Sequence, residues 1–240
     1  MRLGIDLDNT LICYDDLFLW GARELKLVVN DFEGGKIDIR TYLRQKPEGE
    51  RSWQYLQGLV YGKWIGQAKL FQGAYRFLWR CRERGIEVQV LSHKSKFAPM
   101  DKEKIPLQDA ALQFLTKAGV LSGNNSSLLS KVEFYLTREE KIRGIEENEF
   151  DWFIDDLVEI FKADQFPSQT AGILFDPSGN SRLPGVDLVT CWTEIEYRLL
   201  GEWGESELSK LTSEVSRQKV NKSVWHGGGG NAGLGSVELV

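Results

Sequence analysis

The stretch Leu3-Gly4-Ile5-Asp6-Leu7-Asp8-Asn9-Thr10 decides how this chain is read, because a short apolar run ends there in two acids separated by one residue. Apolar runs of this length that stop at turn-forming residues have the pattern of buried strands. Side chains at i and i+2 share a side in extended backbone, so Asp6 and Asp8 bring two carboxylates into one small volume at the strand's end. Two unit charges 4 Å apart repel by roughly 4 kcal/mol at an effective dielectric of about 20. Either a carboxyl pKa rises or a divalent cation relieves the repulsion. The plain alternative is a turn in which Asp8, Asn9 and Thr10 cap a following helix, as these residue types commonly do.

Similar apolar runs recur outward along the chain, at Ile86 to Leu91, Lys131 to Tyr135, Trp152 to Ile154, Ala171 to Phe175 and Val186 to Val189, with the first at Leu3 to Leu7. Helical patterns separate most of them. Gly73 to Arg84 carries Tyr75, Phe77, Leu78 and Cys81 at helical spacing and stops at Gly85, and Leu107 to Ala118 stops in the same way at Gly119. Thr137-Arg138-Glu139-Glu140 is a capping box, which predicts a helix start, with Ile142 and Ile145 on its inward face. Strands alternating with helices predict an α/β fold with a Rossmann-like, doubly wound parallel sheet, in which ligands bind beyond the carboxyl ends of the strands.

Between the first and second strands lie about 60 residues, far more than one crossover needs. We read residues 15–72 as a small, mainly helical cap inserted into a core formed by 1–14 and 73–203. Within it a helix is expected around Asp16 to Asn30, a turn at Glu33-Gly34-Gly35-Lys36, and further helix from Arg51 to Gln67. Its aromatics Trp20, Trp53, Tyr55, Tyr61 and Trp64 fall at helical spacing, which favours packing over stacking on a ligand. Residues 204–240 change character: Glu205 to Lys219 suits a charged helix, and the glycine-dense run from Gly227 to Gly235 suits a flexible tail or linker.

The bulk composition narrows the function classes. No apolar run approaches the roughly 20 residues of a membrane-spanning helix, and a formal charge of -5 with interleaved signs argues against a nucleic-acid surface. A small or polar substrate fits this composition better than nucleic acid or a membrane. Cys13, Cys81 and Cys191 are odd in number and far apart, with no zinc or disulfide spacing, so a reducing, cytoplasmic setting is expected. Met1 to Ile5 leads straight into charged residues and lacks the apolar stretch of a signal peptide.

Asp-x-Asp-x-Thr at the end of a first strand resembles the first motif of the haloacid dehalogenase-like (HAD) superfamily, and three further segments resemble its other motifs in the required order. Val88-Gln89-Val90-Leu91-Ser92 ends a strand in a serine, with His93 and Lys94 following. Lys141 lies in the first turn after the capping box, with Lys131 as a weaker alternative. Trp152-Phe153-Ile154-Asp155-Asp156 ends another strand in an acidic pair, with Glu159 a turn further on. Taken singly, Ser92 reads as a helix cap, Lys141 as a solvated charge and the acidic pair as an N-cap.

The resemblance implies a magnesium-dependent phosphomonoester hydrolase acting through an aspartyl phosphate, with Asp6, Asp8, Ser92 and Lys141 as catalytic residues. It implies Mg²⁺ held by Asp6, the main-chain carbonyl of Asp8 and an acid from Asp155 or Asp156; strand alignment favours Asp156, with Asp155 and Glu159 in support. Thr10, Ser92, His93 and Lys94 are the expected substrate-binding residues. A second acid at position 8 argues for ester hydrolysis over carbon–halogen cleavage, and the missing Asp-Lys-Thr-Gly-Thr segment argues against a P-type ATPase. The competing readings are a binding or regulatory module fused to a kinase-like domain, and a phosphomutase or phosphotransferase.

Overall fold

A computed structural model of the chain describes residues 1–101, 103–123, 126–204 and 207. Residues 1–200 form one compact unit, in which the elements below all lie. Of the second unit, 201–240, residues 201–204 and 207 are described, and the Gly204 amide donates to the Glu207 carboxylate at 3.0 Å. The expected charged helix lies almost wholly, and the glycine-dense tail entirely, outside the described residues.

In chain order the elements are β1 (Arg2–Ile5), β2 (Ile12–Cys13), α1 (Asp15–Glu24), α2 (Lys36–Arg44), α3 (Gly49–Tyr61), β3 (Lys69–Leu70), α4 (Ala74–Glu83), β4 (Glu87–His93), α5 (Leu107–Lys117), β5 (Lys131–Tyr135), α6 (Arg138–Glu147), β6 (Trp152–Asp155), α7 (Val158–Phe161), β7 (Ala171–Phe175), β8 (Asp187–Val189) and α8 (Trp192–Leu200). Six strands form a parallel sheet in the order β5-β4-β1-β6-β7-β8. The chain builds outward from β1 through β4 to β5, then crosses back to lay β6 on the other side of β1. That reversal leaves a crevice at the carboxyl ends of β1 and β6, where doubly wound sheets bind ligands.

The sheet is held by side chains that alternate into its two apolar faces. Leu3, Ile5, Val90, Phe153, Ile154 and Ile173 have no solvent exposure. Gly4 in β1 is required by close approach: a Cβ there would lie 2.4 Å from the Phe153 ring and 2.8 Å from Phe150. Gly85 and Gly119 follow α4 and α5 with φ of 66° and 75°, the left-handed conformation that ends helices. The capping box forms as read, with the Glu140 amide donating to Thr137 Oγ1 at 3.1 Å and the Thr137 amide to Glu140 Oε2 at 3.2 Å.

Several boundaries differ from the sequence reading. β1 stops at Ile5, because residues 6–12 turn back on themselves, with Asp8 bridging Ile12 and the Leu11 and Ile12 amides both donating to the Leu7 carbonyl. α1 ends at Glu24 and not near Asn30, and Lys26 has a left-handed φ of 54°. The helical pattern expected from Arg51 to Gln67 breaks at Gly62, with a single 3-10 turn at Ile65–Gln67. The turn expected at Glu33 to Lys36 opens directly into α2, which the sequence reading missed; its buried face is only Ile39 and Leu43, too short a pattern to announce a helix. α8 was also unread.

The chain leaves the sheet through β2 and returns through β3, which pair antiparallel, Ile12 with Leu70 and Cys13 with Lys69. Between them α1, α2 and α3 pack on one another. Of the aromatics in this insert, Trp53 stacks on Phe18 at 5.1 Å and Trp20 meets Trp64 edge-on at 4.9 Å, so these pack as expected. Tyr55 is exposed and Tyr61 faces the cavity described below.

The three cysteines sit in different environments: Cys191 exposed, Cys13 half-buried, and Cys81 buried with its thiol pushed up to about 12 chiefly by desolvation. Only thiolates react readily. Titration of the native protein with a disulfide reagent at pH 8 is expected to give one fast equivalent, at Cys191, with Cys81 reacting only on unfolding; a fast reaction at Cys81 would contradict the core placement of α4.

Candidate active site

The site is assembled by adjacent strands of the sheet at their carboxyl ends. Ile5 is in register with Val90 of β4 and Ile154 of β6, and the ladder runs one step further, with the Asp6 amide donating to the Ile154 carbonyl at 2.8 Å. Asp6 and Asp155 are thereby delivered side by side. Lys141, in the first turn of α6, reaches in from the neighbouring helix and is fully buried. Its ammonium donates to Asp6 Oδ1 at 2.5 Å and to Asp155 Oδ2 at 2.6 Å, and the other Asp155 oxygen accepts from the Leu157 amide at 2.9 Å.

Asp156 completes an acidic cluster: ligand atoms of Asp6, Asp155 and Asp156 all lie within 4.8 Å of one another. The charges here do not balance. Burial, and then the carboxylates of Asp6 and Asp155, hold the Asp156 carboxyl well above its ordinary value. Burial likewise raises Asp6, which the pull of Lys141 opposes and the Asp155 charge reinforces, leaving it at about 7. Desolvation lowers the Lys141 ammonium, yet the two carboxylates against it win and raise it above its usual value. The buried Asp6 and Asp155 share one ammonium with the half-buried Asp156 beside them, and Asp6 and Asp156 resist ionisation. All three offer hard oxygen donors, the ligand type that Mg²⁺ and Ca²⁺ take.

Asp8 is held apart from that cluster. Lys94 donates to its Oδ2 at 2.6 Å and the Tyr14 hydroxyl to its Oδ1 at 2.8 Å, so both oxygens have a partner while the side chain still faces the cavity. Lys94 is itself buried, with its ammonium 4.7 Å from the centre of the Tyr61 ring. Burial and then the Asp8 charge raise the Tyr14 phenol, keeping it a proton donor.

The cavity has a volume of about 350 Å³, near the lower end of the roughly 300–1,000 Å³ of small-molecule pockets. Asp6, Asp8, Ser92, Lys141 and Asp156 form its floor. The insert adds Lys36 from α2 and Gln54, Gln57 and Tyr61 from α3 to the lining.

The residues singled out from sequence are distributed as follows. Asp6, Asp8, Ser92, His93, Lys94, Lys141 and Asp156 all line the cavity, and Asp155 sits directly behind it. Thr10 does not reach the wall; it is fully buried, its hydroxyl 3.4 Å from Asp156 Oδ1 and its carbonyl accepting from Trp192 Nε1 at 3.0 Å, so it braces the loop from behind. The exposed His93 ring lies 2.9 Å from the Leu136 carbonyl. Glu159 is exposed and does not join the acidic cluster. Lys131 opens β5 at the sheet's opposite end, paired with Glu133 at 2.8 Å, which removes it as an alternative to Lys141. Lys36, Tyr14, Gln54, Gln57 and Arg138 were missed as lining or supporting residues; only Lys36, directly after Gly34-Gly35, sat at a marked position.

No protein-family model matches the chain, and no curated protein matches it in sequence. Solved structures do. The HAD-hydrolase YfnB from Bacillus subtilis, solved bound to magnesium, is 10% identical and superposes with a TM-score of 0.55, covering 84% of this chain and 98% of its own. A HAD-superfamily hydrolase of subfamily IA from Geobacter sulfurreducens is 13% identical with a TM-score of 0.52, covering 82% and 95%. A dehalogenase solved with an intermediate complex is 13% identical with a TM-score of 0.51, covering 84% and 97%. The chain therefore has the fold of the HAD-superfamily hydrolases.

Because the Asp6 carboxyl is raised, the folded metal-free protein holds a proton that the unfolded chain releases near pH 3.8. That contribution to stability is whole below about pH 3.8 and is lost as pH rises through about 7. In EDTA, the melting temperature of Asp6→Asn measured relative to wild type is expected to be higher at pH 8 than at pH 4.5, whatever the constant cost of losing the Lys141 contact; the reverse order would contradict the cluster's charge imbalance.

Proposed function

We propose that this chain is a magnesium-dependent phosphomonoester hydrolase of the HAD superfamily, acting on a small phosphorylated metabolite through a phosphoryl ester on Asp6. The observation that carries the proposal is the second carboxylate, Asp8, facing the same cavity as Asp6 but tied to a different cation. The two acids are kept in separate hydrogen-bond networks, as two different tasks require.

Asp6, Asp155 and Asp156 fit a divalent oxygen-ligated cation by donor type, mutual spacing and unmet charge, and the Asp8 carbonyl is the further ligand the resemblance implies. Bound there, Mg²⁺ supplies positive charge against the phosphoryl oxygens and the attacking carboxylate. The rest is done by side chains. An Asp6 oxygen attacks phosphorus, the bond to the leaving alkoxide breaks, and Asp8, protonated beforehand by the incoming phosphate monoanion, gives that oxygen the proton. Asp8 then takes a proton from water, whose oxygen attacks the same phosphorus. The bond to Asp6 breaks, inorganic phosphate departs and both carboxyl groups return to their starting states. Lys141 orients Asp6 through the 2.5 Å contact and supplies positive charge where the phosphoryl oxygens gather, and Ser92 offers a hydroxyl to the same oxygens. Residues 15–72 serve as a cap whose α2 and α3 side chains close the cavity over the leaving group and exclude water during the first transfer.

The test is phosphate release from p-nitrophenyl phosphate by the purified chain. Release is expected with Mg²⁺ and not with EDTA. Asp6→Asn is expected to abolish it and Asp8→Asn to lower it by roughly 10²–10⁴-fold, the usual contribution of general acid–base catalysis. Full activity in Asp6→Asn would contradict Asp6 as nucleophile, and full activity in EDTA would contradict the metal.

A further inference from the structure

Lys36 is the lysine on the cavity wall that has no carboxylate within 4.0 Å among the described residues. Among the described residues, Lys141 is committed to Asp6 and Asp155, and Lys94 to Asp8, each within 2.6 Å. No ion pair within 4.0 Å involves Lys36 among the described residues. Its ammonium is instead half-buried among aromatic faces, 5.9 Å from the centre of the Phe18 ring and 5.7 Å from that of Tyr61. The Tyr61 ring thus lies close to two ammonium groups, Lys36 and Lys94.

The direction of Lys36 is fixed by several contacts. Its amide donates to Asp15 Oδ1 at 3.1 Å, which ties the start of α2 to the start of α1. Its side chain lines the cavity and feels the charges of Asp156 and Asp8; desolvation lowers the ammonium, but Tyr61, Asp156 and Asp8 more than offset this and raise it. It therefore stays charged in a partly dehydrated place on the same cavity as Asp6, Asp8 and Asp156. Gln54 and Gln57 stand on the same wall, and no large apolar side chain of α2 or α3 lines it except the Tyr61 ring. A desolvated cation without a counter-ion, flanked by amides, is complementary to an anionic oxygen group on a ligand.

We infer that Lys36 is a specificity-determining residue that selects phosphomonoesters whose leaving group carries a carboxylate, pairing with it while the phosphoryl group lies over Asp6. This rests on the phosphohydrolase reading of the site, and it adds the class of substrate. Arg138, exposed at the start of α6, is the other cation on the wall whose charge is not committed to a carboxylate within 4.0 Å among the described residues. It stands on the core, in the same helix as Lys141, and not on the insert.

The experiment compares 3-phosphoglycerate with glycerol 1-phosphate, which differ by a carboxylate in place of a hydroxymethyl group. Binding is measured by calorimetry with Mg²⁺ present on the Asp6→Asn protein, with and without Lys36→Gln. The expected result is a preference for 3-phosphoglycerate of about tenfold or more, the worth of one charge-assisted hydrogen bond, which Lys36→Gln abolishes. Equal affinity for the two compounds, a preference that survives Lys36→Gln, equal weakening of both by that substitution, or no binding of either at millimolar concentration would each overturn the inference. Turnover is read separately on the Asp6 protein. Selective binding without phosphate release would sink the phosphohydrolase reading and leave the carboxylate selection by Lys36 standing.

Discussion

The ammonium of Lys141 lying between Asp6 and Asp155 is the interaction on which the rest of the structure depends. All three groups are buried. Removing one partner of a buried ion pair typically costs 3–5 kcal/mol, because the charge left behind is neither hydrated nor compensated. The ammonium also joins α6 to β6 and to the turn that follows β1, at the crevice where the winding of the sheet reverses. The contact that stabilises the crevice thus also holds the Asp6 carboxyl in place. With Asp156 added, one cation faces three acids whose oxygens could hold a metal ion.

The acids divide into two networks by simple geometry. β1 ends at Ile5, so residues 6–12 are free to fold back, and the turn carries Asp8 away from Lys141 toward Lys94 and Tyr14. Two carboxylates two residues apart would repel strongly in a straight strand. Here each is bound to its own lysine, one from β4's end and one from α6, and both remain on the same cavity. The three-helix insert adds a third lysine, and Tyr61 ties the insert to Lys94. Three lysines are thus presented at one cavity by three different parts of the chain, since Lys94 follows β4, Lys141 lies in α6 and Lys36 opens α2.

The parts of this arrangement that were legible in the sequence are those written in local rules. Apolar runs ending in acids gave β1 and β6, glycines after periodic segments gave the ends of α4 and α5, and the Thr137 capping box placed Lys141 in a first turn. Asp6, Asp8, Ser92, Lys141 and Asp156 reach one cavity because each sits at a strand end or helix start, where a short motif can mark it. Thr10 matched a motif but turned inward, since the threonine hydroxyl is spent on Asp156 and its carbonyl on Trp192. Lys36, Tyr14 and Tyr61 were not legible as site residues, because their positions depend on how the insert folds back over the sheet. That packing is set by long-range contacts such as Phe18 against Trp53 and Tyr14 against Tyr61, which no local pattern encodes. α2 escaped notice for the related reason that two buried residues, Ile39 and Leu43, are too few to show a period.

The central claim is that the Asp6, Asp155 and Asp156 cluster is short of one divalent cation even with Lys141 in place. Calorimetric titration of Mg²⁺ into the metal-free protein, beside the same titration of Asp156→Asn, tests this directly. The account predicts a single site in the wild-type protein and an affinity at least about tenfold weaker in the variant, the loss of one charged oxygen ligand. No Mg²⁺ binding to the wild-type protein, or equal affinity in the two, would contradict it.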